Sequence, residues 1–211
     1  MRNQQRKHIA LILLLIFYAV GIVGIAMEDH REIFVSLSAF NLLLTLFLYA
    51  WGSQQNLLTW LYPFASAFTF GLIVEMVGVE TGMLFGKYHY GEGLGPKVLE
   101  VPWIIGVNWF LLTASCLGVL ATYIRNKWGL MVLAALSTVL LDYVIEPVAI
   151  NLDFWSWDYV DVPFRNYVMW FISAFLIQWF YKVLDFRPDQ KMSLGVLFSQ
   201  LLFFGILHLA L

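Results

Sequence analysis

WGLMVLAALSTVLLDYVIEPVAIN, residues 128–151, decides what kind of fold this chain can have. It is long enough to cross a hydrocarbon core of about 30 Å as a helix, which takes roughly 20 residues. It also carries two carboxylates, Asp142 and Glu146, that a helix facing lipid on all sides would not hold. Six further apolar runs are of comparable length, near 8–27, 33–51, 57–79, 101–124, 167–184 and 192–210. The chain of 211 residues is 61% apolar, 18% aromatic and only 12% charged, a balance foreign to soluble domains. The expectation is an all-α fold: a polytopic integral membrane helix bundle of about seven transmembrane helices, forming a single membrane domain over 1–211. The first run is flanked by basic residues, but no small-residue cleavage site follows it and Glu28-Asp29-His30-Arg31-Glu32 reads as a turn, so it counts as a span.

With seven spans the connecting segments alternate between faces. Arg2, Arg6, Lys7, Arg125, Lys127, Lys182, Arg187 and Lys191 then fall on the N-terminal side, and only Arg31, Lys87, Lys97 and Arg165 on the other. The excess predicts a cytoplasmic N-terminus. The 80–100 and 152–166 loops share the opposite face. A single cysteine, Cys116, lies inside an apolar run, which leaves no disulfide framework and no thiolate metal site. Repeats of 20 to 50 residues and low-complexity tracts are absent from the sequence.

An ionisable side chain within a span costs about 2.5–3.5 kcal/mol on insertion scales, so each is a candidate for function. Glu75, Asp142 and Glu146 qualify. Asp142 and Glu146 are four apart and share one helix face. At 1.5 Å per residue, Glu146 lies roughly 7 Å and Asp142 roughly 13 Å inside the end of their span, and Glu75 roughly 6 Å inside the end of its own. All three depths are measured from the face that bears the 80–100 and 152–166 loops, and Asn108 reaches a similar level. The first of these loops, within TGMLFGKYHYGEGLGPKVLEVPW (81–103), has glycines at 82, 86, 91, 93 and 95 that suit a re-entrant or lid-like segment folded down over a polar pocket. Pro147 frees the Tyr143 carbonyl beside Glu146.

Each of these signals has a plainer reading. A carboxylate near the interface can snorkel or pack between helices. Trp103, Trp155, Trp157, Tyr88, Tyr90 and Tyr159 suit an interfacial aromatic belt, and Asn41, Asn108 and Gln178 suit interhelical hydrogen bonding. His8, His30, His89 and His208 are scattered, which excludes the clustered histidine boxes of di-iron oxidation. There is no second Asp-rich motif for magnesium diphosphate, no lysine in 192–210 for a retinal Schiff base, and no dinucleotide fingerprint around Gly91-Glu92-Gly93-Leu94-Gly95. The chemistry left is cofactor-free and metal-free: acid catalysis by carboxyl groups on an apolar substrate, with aromatic faces to shelter a carbocation.

EMVGVETGMLFGKYHYGEGLGPKVLEVPW and LLDYVIEPVAINLDFWSWDYVDVPFRNYVMWF together resemble the membrane carotenoid-biosynthesis proteins that include the 1′,2′-hydratases of the bisanhydrobacterioruberin hydratase type. The resemblance covers about residues 71–171. It is carried by Glu75, Thr81, Gly82, Phe85, Gly86, Tyr88, Tyr90, Asp142, Glu146, Pro147, Trp155, Trp157 and Asn166, with Asp161 and Met169 departing from the pattern. It implies a carotenoid 1′,2′-hydratase in a prokaryotic cell membrane, acting with water on an acyclic, lycopene-like end group, alongside other carotenoid enzymes and without nucleic acid. From the carboxyl cluster itself, and not from the resemblance, Asp142 and Glu146 are the expected acid and base pair and Glu75 the third catalytic group. Tyr88, Tyr90, Asn108, Trp155, Trp157, Asn166, Thr81 and Phe85 are the expected substrate contacts. The residues alone also admit an end-group cyclase, a proton-coupled transporter or a scaffold for a pigment-making complex.

Overall fold

The computed structural model describes residues 2–159 and 161–211; Met1, the side chains of Arg2 and Asn3, and Val160 within the 152–166 loop lie outside the described residues. The described residues form eight α-helices: α1 (Arg2–Ala26), α2 (Arg31–Ser36), α3 (Ser38–Ser53), α4 (Leu57–Thr81), α5 (Ile104–Leu120), α6 (Lys127–Asn151), α7 (Phe164–Val183) and α8 (Gln190–Ala210). Four short strands lie between them: β1 (Tyr88–Tyr90), β2 (Lys97–Val98), β3 (Val101–Pro102) and β4 (Trp155–Trp157). Within α1 the stretch Gln4–Ala26, together with α4, α6 and α8, is long and apolar enough to cross a membrane, and α2 with α3 forms a fifth if that bent pair is one span.

The helices begin and end where the sequence supplies caps. Asn56 Oδ1 accepts from Leu58 N at 3.2 Å, Asn126 Oδ1 from Gly129 N at 2.9 Å, and Asp189 Oδ1 from Met192 N at 3.0 Å. α4 stops at Gly82, whose φ of +61° is the left-handed conformation that glycine adopts without a steric cost.

The structure differs from expectation at three spans. α7 forms over the run 167–184 but is not among the helices long and apolar enough to cross a membrane. The run 33–51 is not one straight helix; it bends by 55° at Leu37. Ser36 Oγ donates back to Ile33 O at 2.7 Å and Ser38 Oγ to Phe34 O at 3.5 Å, the type of back-bonding that bends helices. The run 101–124 yields only the 17 residues of α5: Val101 and Pro102 are drawn into the β2–β3 ladder, and residues 121–124 leave the helix at the other end. Leu99 and Glu100, both at positive φ, make the two-residue turn of that hairpin.

α5 is the axis of the bundle. It is buried along nearly its whole length, as a surrounded helix is, and packs against α3, α4, α6, α7 and α8. α1 closes the outside against α3 and α8, while α6 pairs with α7. β1 and β4 join antiparallel, with Tyr88 opposite Trp157, His89 opposite Ser156 and Tyr90 opposite Trp155. Gly91 N extends the ladder by donating to Phe154 O at 3.0 Å. A Cβ at Gly91 would stand 1.9 Å from Asp153 O. Gly91→Ala is therefore expected to push the two segments apart and cost about 1–3 kcal/mol, read as a lower thermal midpoint in detergent and faster proteolysis between 82 and 103.

Candidate functional site

The strand alternation makes the site. In Tyr88-His89-Tyr90 and Trp155-Ser156-Trp157 the side chains point alternately to the two faces of the ribbon, so four aromatic rings lie on one face. His89 and Ser156 take the other, where His89 Nε2 meets Asp158 Oδ1 at 2.8 Å. The aromatic face packs ring on ring, with Tyr88 5.1 Å from Trp157 and Tyr90 6.2 Å from Trp155 between centroids. Beneath it lie Glu75 from α4 and Asp142 and Glu146 from α6, all buried.

The three carboxyls are held unequally. Glu75 Oε2 accepts from Tyr88 Oη at 2.5 Å and Tyr90 Oη at 2.9 Å, and its Oε1 from Trp109 Nε1 at 3.0 Å. Glu146 Oε2 accepts from Trp155 Nε1 at 2.9 Å and Trp157 Nε1 at 3.3 Å. Asn166, at the start of α7, spans the remaining gap: its Nδ2 is 3.3 Å from Asp142 Oδ2 and 3.4 Å from Glu146 Oε1. That amide is the only hydrogen bond Asp142 receives among the described residues. Every donor to the three groups is neutral, a phenol, an indole or an amide. Burial, followed by the nearby Glu75 charge, holds both the Tyr88 and Tyr90 phenols well above their usual value. A raised folded-state value means that these two tyrosines stabilise the docked ribbon fully below about pH 10, the ordinary tyrosine value, and progressively less above it.

The pocket between these groups has a volume of about 20 Å³, enough for a water but not for a hydrocarbon end group. Its lining includes Glu75, Asp142, Glu146, Tyr88, Tyr90, Asn108, Trp155, Trp157, Asn166 and Phe85. Phe85 supports Tyr88 edge-to-face at 6.0 Å. Thr81 does not reach the pocket. It is exposed, with Oγ1 donating to Val77 O at 2.6 Å and accepting from Met83 N at 3.1 Å, and so finishes α4.

Sequence reasoning missed two residues. Trp109 gives Glu75 its third donor, and Trp170, which lines the pocket, stacks on Trp109 at 4.1 Å between centroids. The signal for Trp109 lay in its depth, since an indole N–H far inside a span needs an acceptor there. Among the described residues no three His, Cys, Asp or Glu side chains converge as a set able to ligate one metal ion.

Residues 33–211 match the model of the carotenoid biosynthesis protein family. A bisanhydrobacterioruberin hydratase of Haloarcula japonica is 33% identical over 109 residues, a region covering 48% of this chain and 37% of that relative. No solved structure matches the chain. Together with membrane-length helices, a family match over most of its length makes this chain a membrane protein that belongs to the carotenoid biosynthesis family.

Proposed function

We propose that this protein is a carotenoid 1′,2′-hydratase that adds water across the terminal double bond of an acyclic, lycopene-like end group and needs no cofactor. The observation that carries the reading is the unequal hydrogen bonding of three carboxyls around a space the size of a water. Glu75 is saturated with donors, which suits a fixed anion facing a developing cation. Asp142 has one long bond to an amide, which suits the neutral acid. Buried charges require partners, and a cluster served only by neutral donors is best satisfied with a proton among its members.

In the proposed reaction the Asp142 O–H bond breaks as a C–H bond forms at carbon 2′, leaving a tertiary cation at carbon 1′. Water held by Glu146 adds its oxygen to carbon 1′ and gives a proton to that carboxylate. Transfer of this proton to Asp142, four residues away on α6, restores both groups, so the net change is one added water. The Tyr and Trp rings of the β1–β4 ribbon shelter the cation, and the ribbon acts as a lid. The similarity to a hydratase supports this choice over cyclisation. The Trp109–Trp170 stack beside the carboxyls favours a closed pocket over the through-path a transporter would need.

The proposal includes seven spans, counting α2–α3 as one and adding α5 and α7, with the N-terminus in the cytoplasm of a prokaryotic cell and the lid on the opposite face. Turnover in heavy-oxygen water tests the chemistry. The tertiary hydroxyl is expected to carry the solvent label, and a run in deuterium oxide to leave one deuterium on the adjacent carbon. Label arriving from oxygen gas would sink the hydratase reading, and a product of unchanged mass would mean cyclisation.

A further inference from the structure

A second space of about 250 Å³ adjoins the carboxyl pocket. The two share a wall, for Ile105, Asn108 and Trp155 line both. The Asn108 side-chain amide makes no hydrogen bond to any described residue, and the residue is partly exposed at this wall. From there the larger cavity runs between α1, α3 and α8, and its walls are largely aromatic and aliphatic. At its outer rim stand Phe17 and Val20 of α1, 40% and 50% exposed, and Leu37 and Phe40 at the α2–α3 bend, 46% and 59% exposed. In a bundle of membrane helices, such a rim opens sideways into lipid.

Volume separates what the two spaces can hold. A dry apolar cavity of about 150 Å³ takes benzene, whereas about 10–15 Å³ suffices for a water. The larger space therefore has room for a branched hydrocarbon group bigger than benzene, directly beside a polar pocket sized for water.

We propose that this cavity is the seat of an isoprenoid chain end that enters sideways from the bilayer between α1 and the α2–α3 bend. Asn108 and Trp155 form the wall where its terminal double bond meets the carboxyls. That last contact rests on the hydratase reading; the seat itself does not. The occupant is an isoprenoid, not a membrane acyl chain, because the aromatic walls, among them Phe17, Phe34, Phe40, Phe154 and Phe203, suit a flat polyene.

The test uses full-length protein carrying Asp142→Asn, purified in detergent with lycopene as the probe. Retained pigment per protein and the visible circular dichroism that a polyene gains in a chiral site are measured. Gly21→Phe and Ser38→Phe, on different helices that line the cavity, are each expected to lower retention at least tenfold and abolish the dichroism. Ile12→Phe, at an exposed position outside the lining, should leave both intact. Two filling variants guard against one failing to fold, and thermal midpoints equal to that of the parent establish that both have folded. Full retention in either folded filling variant overturns the seat, as does no retention by the parent, or a polyene fatty acid bound as tightly as lycopene. If the filling variants lose pigment while the wild-type protein hydrates nothing, the seat stands and the hydratase reading falls. If the wild type hydrates and the filling variants, in the Asp142 background, do so with unchanged KM, the seat is overturned and the hydratase reading stands.

Discussion

Cells that make an acyclic carotenoid and carry the Asp142→Asn protein are expected to accumulate the unhydrated pigment, with conversion lowered by about 10²–10⁴-fold. Asparagine keeps the shape of aspartate, so α6 and its contact with α7 persist, but an amide has no proton to give to an alkene. Glu146→Gln is expected to lose a similar factor for a different reason: it still fills the space under Trp155 and Trp157 but cannot accept a proton from water. The two losses should not add, because each carboxyl works only with the other. Product analysis by liquid chromatography and mass, normalised to membrane-inserted protein, checks this. Near-normal product from Asp142→Asn would remove that residue from the reaction.

The largest expected effect on stability is at Glu75. A leucine there would leave Tyr88 Oη, Tyr90 Oη and Trp109 Nε1 buried without the acceptor that now serves all three. Each such donor costs roughly 1–3 kcal/mol, so the sum takes up much of a typical domain stability of about 5–15 kcal/mol. The ribbon should undock, giving rapid proteolysis between 82 and 103 and a sharply lower thermal midpoint. Glu75→Gln is expected to be milder, since its carbonyl can still accept from the two phenols while its NH₂ faces the Trp109 N–H. An unshifted midpoint in Glu75→Leu would show that the tyrosines hold the ribbon by packing alone.

These expectations mix what was legible in the sequence with what was not. Apolar length located the cores of α1, α4, α6 and α8 because the bilayer sets one simple requirement for helix length. Carboxyls inside such runs stand out for the same reason, and helix rise alone puts Glu75 and Glu146 near a common depth, with Asp142 one turn deeper. The bend at Leu37 was hidden, since it arises from two serine side chains bonding backward and not from proline or glycine. The β1–β4 ribbon was hidden too. Three-residue strands are too short for alternation to register, and their pairing links loops far apart in the chain. Trp170 was overlooked because one more aromatic ring in an apolar run carries no contrast, whereas Trp109 was set apart only by the depth of its indole N–H. Thr81 belongs to a helix end, a role its place in a motif cannot convey.

The hydrogen bonds around the carboxyls also have an order in time, because the chain is made from its N-terminus. The phenols that cover Glu75 follow it by 13 and 15 residues. The indoles that cover Glu146 follow it by 9 and 11, and the amide shared with Asp142 comes 20 residues after Glu146 and 24 after Asp142. Each acidic helix thus leaves the ribosome with its own cover close behind, already on the chain as the next hairpin inserts. Most of the cover for each carboxylate helix is therefore encoded in the segment that follows it, the Trp109 donor to Glu75 comes 34 residues later, and the pairing of β1 with β4 joins the two halves.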